Sequence, residues 1–109
     1  MTQQYPKHIK KLLRQYADVA YERELRAELG KLAESFAAWQ SGKISSWDLS
    51  DRIHEYYVGP SRDLYGRYNR GSDDINVAYA VQQGLISRDE LPPELLEALA
   101  PVIAFYESH

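Results

Sequence analysis

Cysteine is absent from the 109 residues, which excludes disulfides and thiolate metal sites and fits a reducing compartment. Long apolar runs are absent too: none approaches the roughly 18 residues of a membrane span, and the N-terminus lacks the apolar core of a secretory signal. These two readings set the expectation of a cytoplasmic protein without membrane contact. Period-two alternation of apolar and polar residues appears nowhere, so no strand is expected. Without strands, the strand–glycine-loop–helix phosphate cradles have no place to form. Internal repeats and low-complexity tracts are also missing.

Histidine is scarce. His8, His54 and His109 show no ligand spacing, and His54-Glu55 is not followed by a second histidine four positions after the first. No metal and no cofactor is expected. An excess of positive charge is lacking as well, since the net charge is −3, whereas phosphate backbones need a basic face. A helix-turn-helix beginning at Ala80 would have to run its second helix through Pro92-Pro93, which cannot continue a helix. Nucleic acid is therefore not an expected partner.

Hydrophobic residues make up 44% of the chain and charged residues 27%, the balance of a folded globular domain. A chain of this length suits one domain. Charge is unevenly placed. Lys7, Lys10, Lys11 and Arg14 stand without an acid in residues 1–14, while residues 71–109 set seven acids against Arg88 alone.

From Pro6 to about Gln40 there is no further proline and a single glycine, Gly30, which predicts a long helix. Ile9, Leu12, Leu13, Tyr16 and Ala20 gather on one face. Leu25, Leu29, Leu32, Phe36 and Trp39 gather on another, roughly 180° away at 3.6 residues per turn. A straight helix cannot turn both faces into one small core. Either the chain breaks near Val19–Glu24, or one half faces something else. No proline, glycine or asparagine forces a break there, so the favoured expectation is a continuous helix. Its first half, residues 1–20, would project as an arm, with Ile9, Leu12, Leu13 and Tyr16 on a partner protein or a second copy.

Gly42 is the expected left-handed cap of this helix, and Ser45 with Asp48 a capping box for the next. Leu49, Ile53, Tyr56 and Tyr57 form the core face of that second helix, which should stop at Gly59-Pro60. Ser61 would start a short third helix, with Asp63 and Arg67 paired across one turn. Ser72 would start a fourth, with Ile75, Ala78, Tyr79 and Gln82 marking one stripe, and Gly84 would end it. Ser87 and Glu90 form a capping box, and Pro93 opens the last helix, expected to kink at Pro101. The fold class is all-α: a single bundle of five or six helices, with a long N-terminal helix and a Pro-kinked C-terminal one.

The chemistry-bearing residues concentrate between Trp47 and Arg70. Asp51 and His54 are three apart, so the carboxylate can orient and charge the imidazole. Arg62, Tyr65 and Asn69 add donors able to clamp a carboxylate or phosphate. His54, Asp51, Arg62, Tyr65 and Asn69 are thus the candidate ligand-binding set, with no catalytic residue assigned. Tyrosine and arginine also fill wide gaps between helices while keeping a polar tip wet.

The run W-x-L-x-x-x-I-H-x-Y-x-x-G-x-x-R-x-L-Y-x-x-Y-N, from Trp47 to Asn69, is followed by A-x-x-x-G-L-I-S at Ala80–Ser87. Together they resemble a family of small, functionally uncharacterised bacterial all-helical proteins, over roughly residues 30–99. The resemblance implies a bacterial cytoplasmic protein with this helical core. It transfers no catalytic or binding residue. By elimination, the expected function is protein–protein interaction, as a regulatory, antitoxin-like or immunity-like partner. The rival is a small enzyme or an anion or small-ligand binder built on His54, Arg62 and the tyrosines.

Overall fold

The long helix expected from Pro6 to about Gln40 forms with Pro6 as its non-helical N-cap and runs unbroken to Gln40. A computed structural model describes residues 4–108, and its first element is α1, Lys7–Gln40. At 1.5 Å per residue a helix of this length spans about 50 Å, and the molecule is 53 Å along its long axis and only 27 and 26 Å across. Its radius of gyration is 17.4 Å, well above the roughly 13 Å of a compact chain of similar length. Half of α1 therefore extends beyond the body.

The half that enters the body is the N-terminal one, which corrects the expected arm. Ile9, Leu13, Ala17 and Ala20 are buried in the chain's own core, and Leu12 and Tyr16 are partly buried against it. Within the described residues, positions 4–20 are thus committed to intramolecular packing, while positions 1–3 of the expected arm lie outside them. The partners of this stripe are α4 (Asp73–Gln82) and α5 (Pro93–Glu107), through Val77, Ala78, Ala80, Leu95, Leu99 and Ile103. Ala17, Ala20, Ala78 and Ala80 let α1 and α4 approach closely, because none carries a bulky side chain into the contact.

Helix α2 (Ser46–Tyr56) folds back along the outer half of α1 as a hairpin. Gly42, at φ 81°, takes the left-handed conformation expected at the end of α1. The Ser45–Asp48 capping box is formed in both directions. The expected stop at Gly59-Pro60 does not occur. Tyr57–Ser61 is a π-helical segment that leads directly into α3 (Arg62–Arg70), and Ser61 is itself helical and makes no cap. Pro60 has no N–H to give and crowds the carbonyl one turn back. A widened turn accommodates both without ending the helix.

The chain is all-α, with no strand among the described residues. The described residues form four helical rods, the second of them α2 and α3 joined through the π segment, where five or six helices were expected. Helix α5 continues through Pro101. In α4 the buried residues are Asn76, Val77, Ala78 and Ala80, while Ile75, on the stripe read from the sequence, is exposed.

The segment between α4 and α5 is pinned to α1. Gly84, at φ 78°, turns the chain, and Ser87 and Glu90 close their capping box around a short 3-10 turn, Arg88–Glu90. Arg23 of α1 donates to both carboxylate oxygens of Glu90, at 2.6 and 3.0 Å, and to the Leu85 carbonyl at 2.7 Å. This hydrogen bonding, together with the one from the Ser87 backbone, holds the Glu90 carboxyl down at about 2.

Candidate functional site

The five candidate ligand residues do not meet. Asp51 and His54 are exposed on α2, on the side away from α1, which Trp47 shares at 83% exposure. Arg62 and Tyr65 do come together, in an open depression of about 370 Å³ walled also by Tyr57, Ser61 and Arg70. Neither Asp51 nor His54 reaches that wall. Asn69 is spent on its own helix, donating to the Tyr65 carbonyl at 2.9 Å.

Sequence reading missed a more tightly organised cluster, where hairpin and body join. Arg67 donates to both oxygens of Glu24, at 3.1 and 2.9 Å, in place of the expected pairing with Asp63. The Tyr68 hydroxyl donates to the same carboxylate. The Tyr68 ring stacks on Tyr21 with centroids 4.8 Å apart, and the Arg67 guanidinium lies 5.7 Å from the Tyr68 ring centroid and 5.5 Å from that of Tyr79. Burial, then the Glu24 hydrogen bond, pushes the Tyr68 phenol above the ordinary tyrosine range. For Arg67, burial acts downward, but the Glu24 hydrogen bond and charge outweigh it and the net shift is upward.

Glu24 and Arg67 also border a cleft of about 380 Å³ with Glu28, Asp63, Leu64 and Pro60. No group of three or more histidines and carboxylates among the described residues is placed to hold a metal ion. Glu24, Arg67 and Tyr68 bond to one another, which describes a structural joint. No nucleophile and base are set against each other in it. The usable signal in the sequence was Glu24 itself, a carboxylate amid apolar helix positions, but its partners stand more than 40 residues away.

The hairpin presents the other feature. One flank sets Glu28, Lys31, Ser35, Arg52 and Glu55 together with Leu32, Tyr56 and Pro60 around a furrow, where Arg52 donates to the Ser35 hydroxyl at 3.2 Å. The opposite flank is apolar and open. Leu29 is 44% exposed, Phe36 40%, Ile53 39% and Tyr57 64%. Leu25, Leu29, Ala33 and Phe36 lie within about 80° of one another on α1. Leu49 and Ile53, four apart on α2, lead on to Tyr57 at the start of the π-helical segment. Two helices form one layer, and a layer buries its apolar face only against another. Of the large hydrophobic residues in the hairpin, Leu49 alone is fully buried. A furrow of about 370 Å³ runs along α1 on this side, lined by Leu25, Leu29, Gly30 and Ala33 and bordered by Glu22 and Arg26.

No family model, curated protein or solved structure matches the chain.

Proposed function

We propose that this chain acts by protein–protein contact, and that the apolar flank of the α1–α2 hairpin makes the contact. The observation that carries this reading is the set of large apolar side chains that the hairpin leaves exposed, Leu29, Phe36 and Ile53 among them. Contiguous apolar patches of several hundred Å² on a soluble chain mark binding surfaces. The interface is thereby moved from Ile9 and Leu13 to Leu29, Phe36, Ile53 and Tyr57. A regulatory, antitoxin-like or immunity-like role in a bacterial cytoplasm fits a small chain whose most prominent feature is a docking face.

Stability measurements test this. Residues reserved for a partner do not hold the isolated chain together, so Leu29→Gln and Phe36→Gln each change its unfolding free energy by no more than about 0.5 kcal/mol at micromolar concentration. Leu13→Gln, in the core, costs upwards of about 3 kcal/mol. A loss of about 2 kcal/mol or more at Phe36 would make the flank part of the chain's own core and refute the reading.

A second reading is favoured by one observation. Arg62 and Arg70 have no ion-pair partner among the described residues, and they share their depression with the Ser61 hydroxyl and two exposed tyrosines. Guanidinium groups beside aromatic faces suit a phosphorylated aromatic ligand. Titration with phenyl phosphate, followed by tyrosine fluorescence, tests it; an unchanged signal at millimolar ligand rules it out.

A further inference from the structure

We infer that the depression walled by Tyr57, Ser61, Arg62, Tyr65 and Arg70 selects a doubly charged phosphate monoester carried on an aromatic ring, and that the π-helical turn and Gly66 build the wall for it. This rests on the reading of the depression as a site for a phosphorylated aromatic ligand, and adds how the wall is assembled and which anions it rejects.

The π turn places one tyrosine. Around an unbroken α-helix Tyr57 would stand about 140° from Arg62, on another side of the rod. Tyr57–Ser61 is π-helical, and a turn that holds one residue more takes out roughly 100° of that rotation. Tyr57 is thereby brought to about 40° from Arg62, on the side where Tyr65 stands at about 60°. The two rings share one side of Arg62, and both tyrosines are more than half exposed. Single π turns are rare and recur at functional sites.

Gly66 places the second arginine. Arg62, Gly66 and Arg70 follow at four-residue spacing on α3 and so share one stripe. The Arg70 side chain folds back along the helix, with Nη2 and Cζ 3.9 and 4.0 Å from the position a Cβ on Gly66 would take. Its charge therefore sits about one turn nearer Arg62 than its own Cα does. Glycine weakens a helix interior relative to alanine, but a large side chain here would fill the space between the two arginines.

Charge selects the ligand. Neither Arg62 nor Arg70 has an ion pair among the described residues, and the residues walling the depression include no acid. Two guanidiniums on one stripe repel each other, so the anion that best relieves them brings two charges. A phosphate monoester carries about 1.5–2 negative charges at neutral pH and offers oxygens to both forks, whereas a carboxylate or a sulfate ester carries one. The exposed tyrosine faces receive the ring that bears the phosphate. An opening of about 370 Å³ is within the range of small-ligand pockets.

Phenyl phosphate titrated into the full chain and followed by phosphorus NMR tests this, with benzoate and phenyl sulfate as competitors and inorganic phosphate in parallel. Phenyl phosphate should bind at least about tenfold more tightly than either competitor. Arg62→Ala and Arg70→Ala, both at exposed positions, should each weaken it about tenfold. Tyr57→Ala should weaken phenyl phosphate severalfold and leave inorganic phosphate unchanged. Gly66→Leu should abolish binding while the urea midpoint stays equal or rises. Phosphotyrosine amide and adenosine monophosphate, compared directly, identify by the tighter binding which source supplies the ring.

An unshifted phenyl phosphate resonance at millimolar concentration removes the ligand site altogether. Binding that benzoate or phenyl sulfate displaces as well as phenyl phosphate itself keeps an anion site and overturns the selectivity. Wild-type affinity in Tyr57→Ala, or in a folded Gly66→Leu chain, overturns the construction of the wall; if Gly66→Leu fails to fold, the competition and the Tyr57 variant decide.

Discussion

Replacing Glu24 by Gln takes one negative charge from a site where two side chains of α3 depend on it. In the wild type, Arg67 bonds both carboxylate oxygens and the Tyr68 hydroxyl bonds one of them. The glutamate side chain is 18% exposed and that of Arg67 38%, so the pair lies between two regimes. Breaking a fully buried pair costs about 3–5 kcal/mol, and an exposed one contributes about 0–1 kcal/mol because solvent screens it. Arg67 is wet enough to require a discount, but Tyr68 is buried and loses a hydrogen bond to a charged acceptor. The expected cost of Glu24→Gln is therefore about 2 kcal/mol. Tyr68→Phe, which keeps the ring stacked on Tyr21, should cost about 1 kcal/mol. The double variant should cost less than the sum, with a coupling of about 1 kcal/mol, because the two residues share one bond. Urea denaturation at constant m-value measures all three. A loss below about 0.5 kcal/mol for Glu24→Gln, or strict additivity, would refute the view of this cluster as the joint between hairpin and body.

The remaining predictions concern a turn, a titration and the sequence-derived ligand set. Gly71→Ala places a methyl 2.4 Å from the Arg67 carbonyl oxygen, the acceptor of both the Gly71 amide and the Asn76 side chain. It should cost about 1–3 kcal/mol in denaturant, while Gly59→Ala, with open space at its Cβ, should be tolerated; equal effects would contradict the geometry. Glu90 has a folded value of about 2 against an ordinary 4.5, so its stabilising contribution is complete above about pH 4.5 and is lost as pH falls toward 2. Thermal melts of Glu90→Gln across that range should therefore show a flatter acid limb than wild type, and parallel limbs would count against the Arg23–Glu90 contact. His54→Ala and Arg62→Ala, both at exposed positions, should each shift stability by less than about 0.5 kcal/mol, and a loss of 1 kcal/mol or more at either would reveal a contact that this structure lacks.

Much of the local architecture was legible because its causes are local. The extent of α1 follows from a proline at its start, a glycine past its end and good helix formers between. The capping boxes at Ser45 and Ser87 each close within three residues. The opposed stripes of α1 followed from helical periodicity alone, and they correctly implied that one straight helix serves two environments.

Which stripe meets which environment was not legible, because apolar residues at helical spacing look alike whatever covers them. The core formed around Ile9 and Leu13 because α4 and α5, more than 50 residues away, present Val77, Leu95 and Leu99 to that half of α1. The same long-range choice left Leu29 and Phe36 with α2 as their only layer. It drew Arg67 from its helical neighbour Asp63 to Glu24, and it left Asp51 and His54 apart from the depression that Arg62 and Tyr65 share. Pro60, read as a stop, became a π-helical passage between α2 and α3, both of which pack on α1. The sequence by itself determined the helical segments, the caps at Ser45 and Ser87 and the existence of two apolar faces, since these depend on residues within a turn or two of each other. Only the tertiary structure decided which face is core and which is open, because that depends on which elements the folded chain brings alongside.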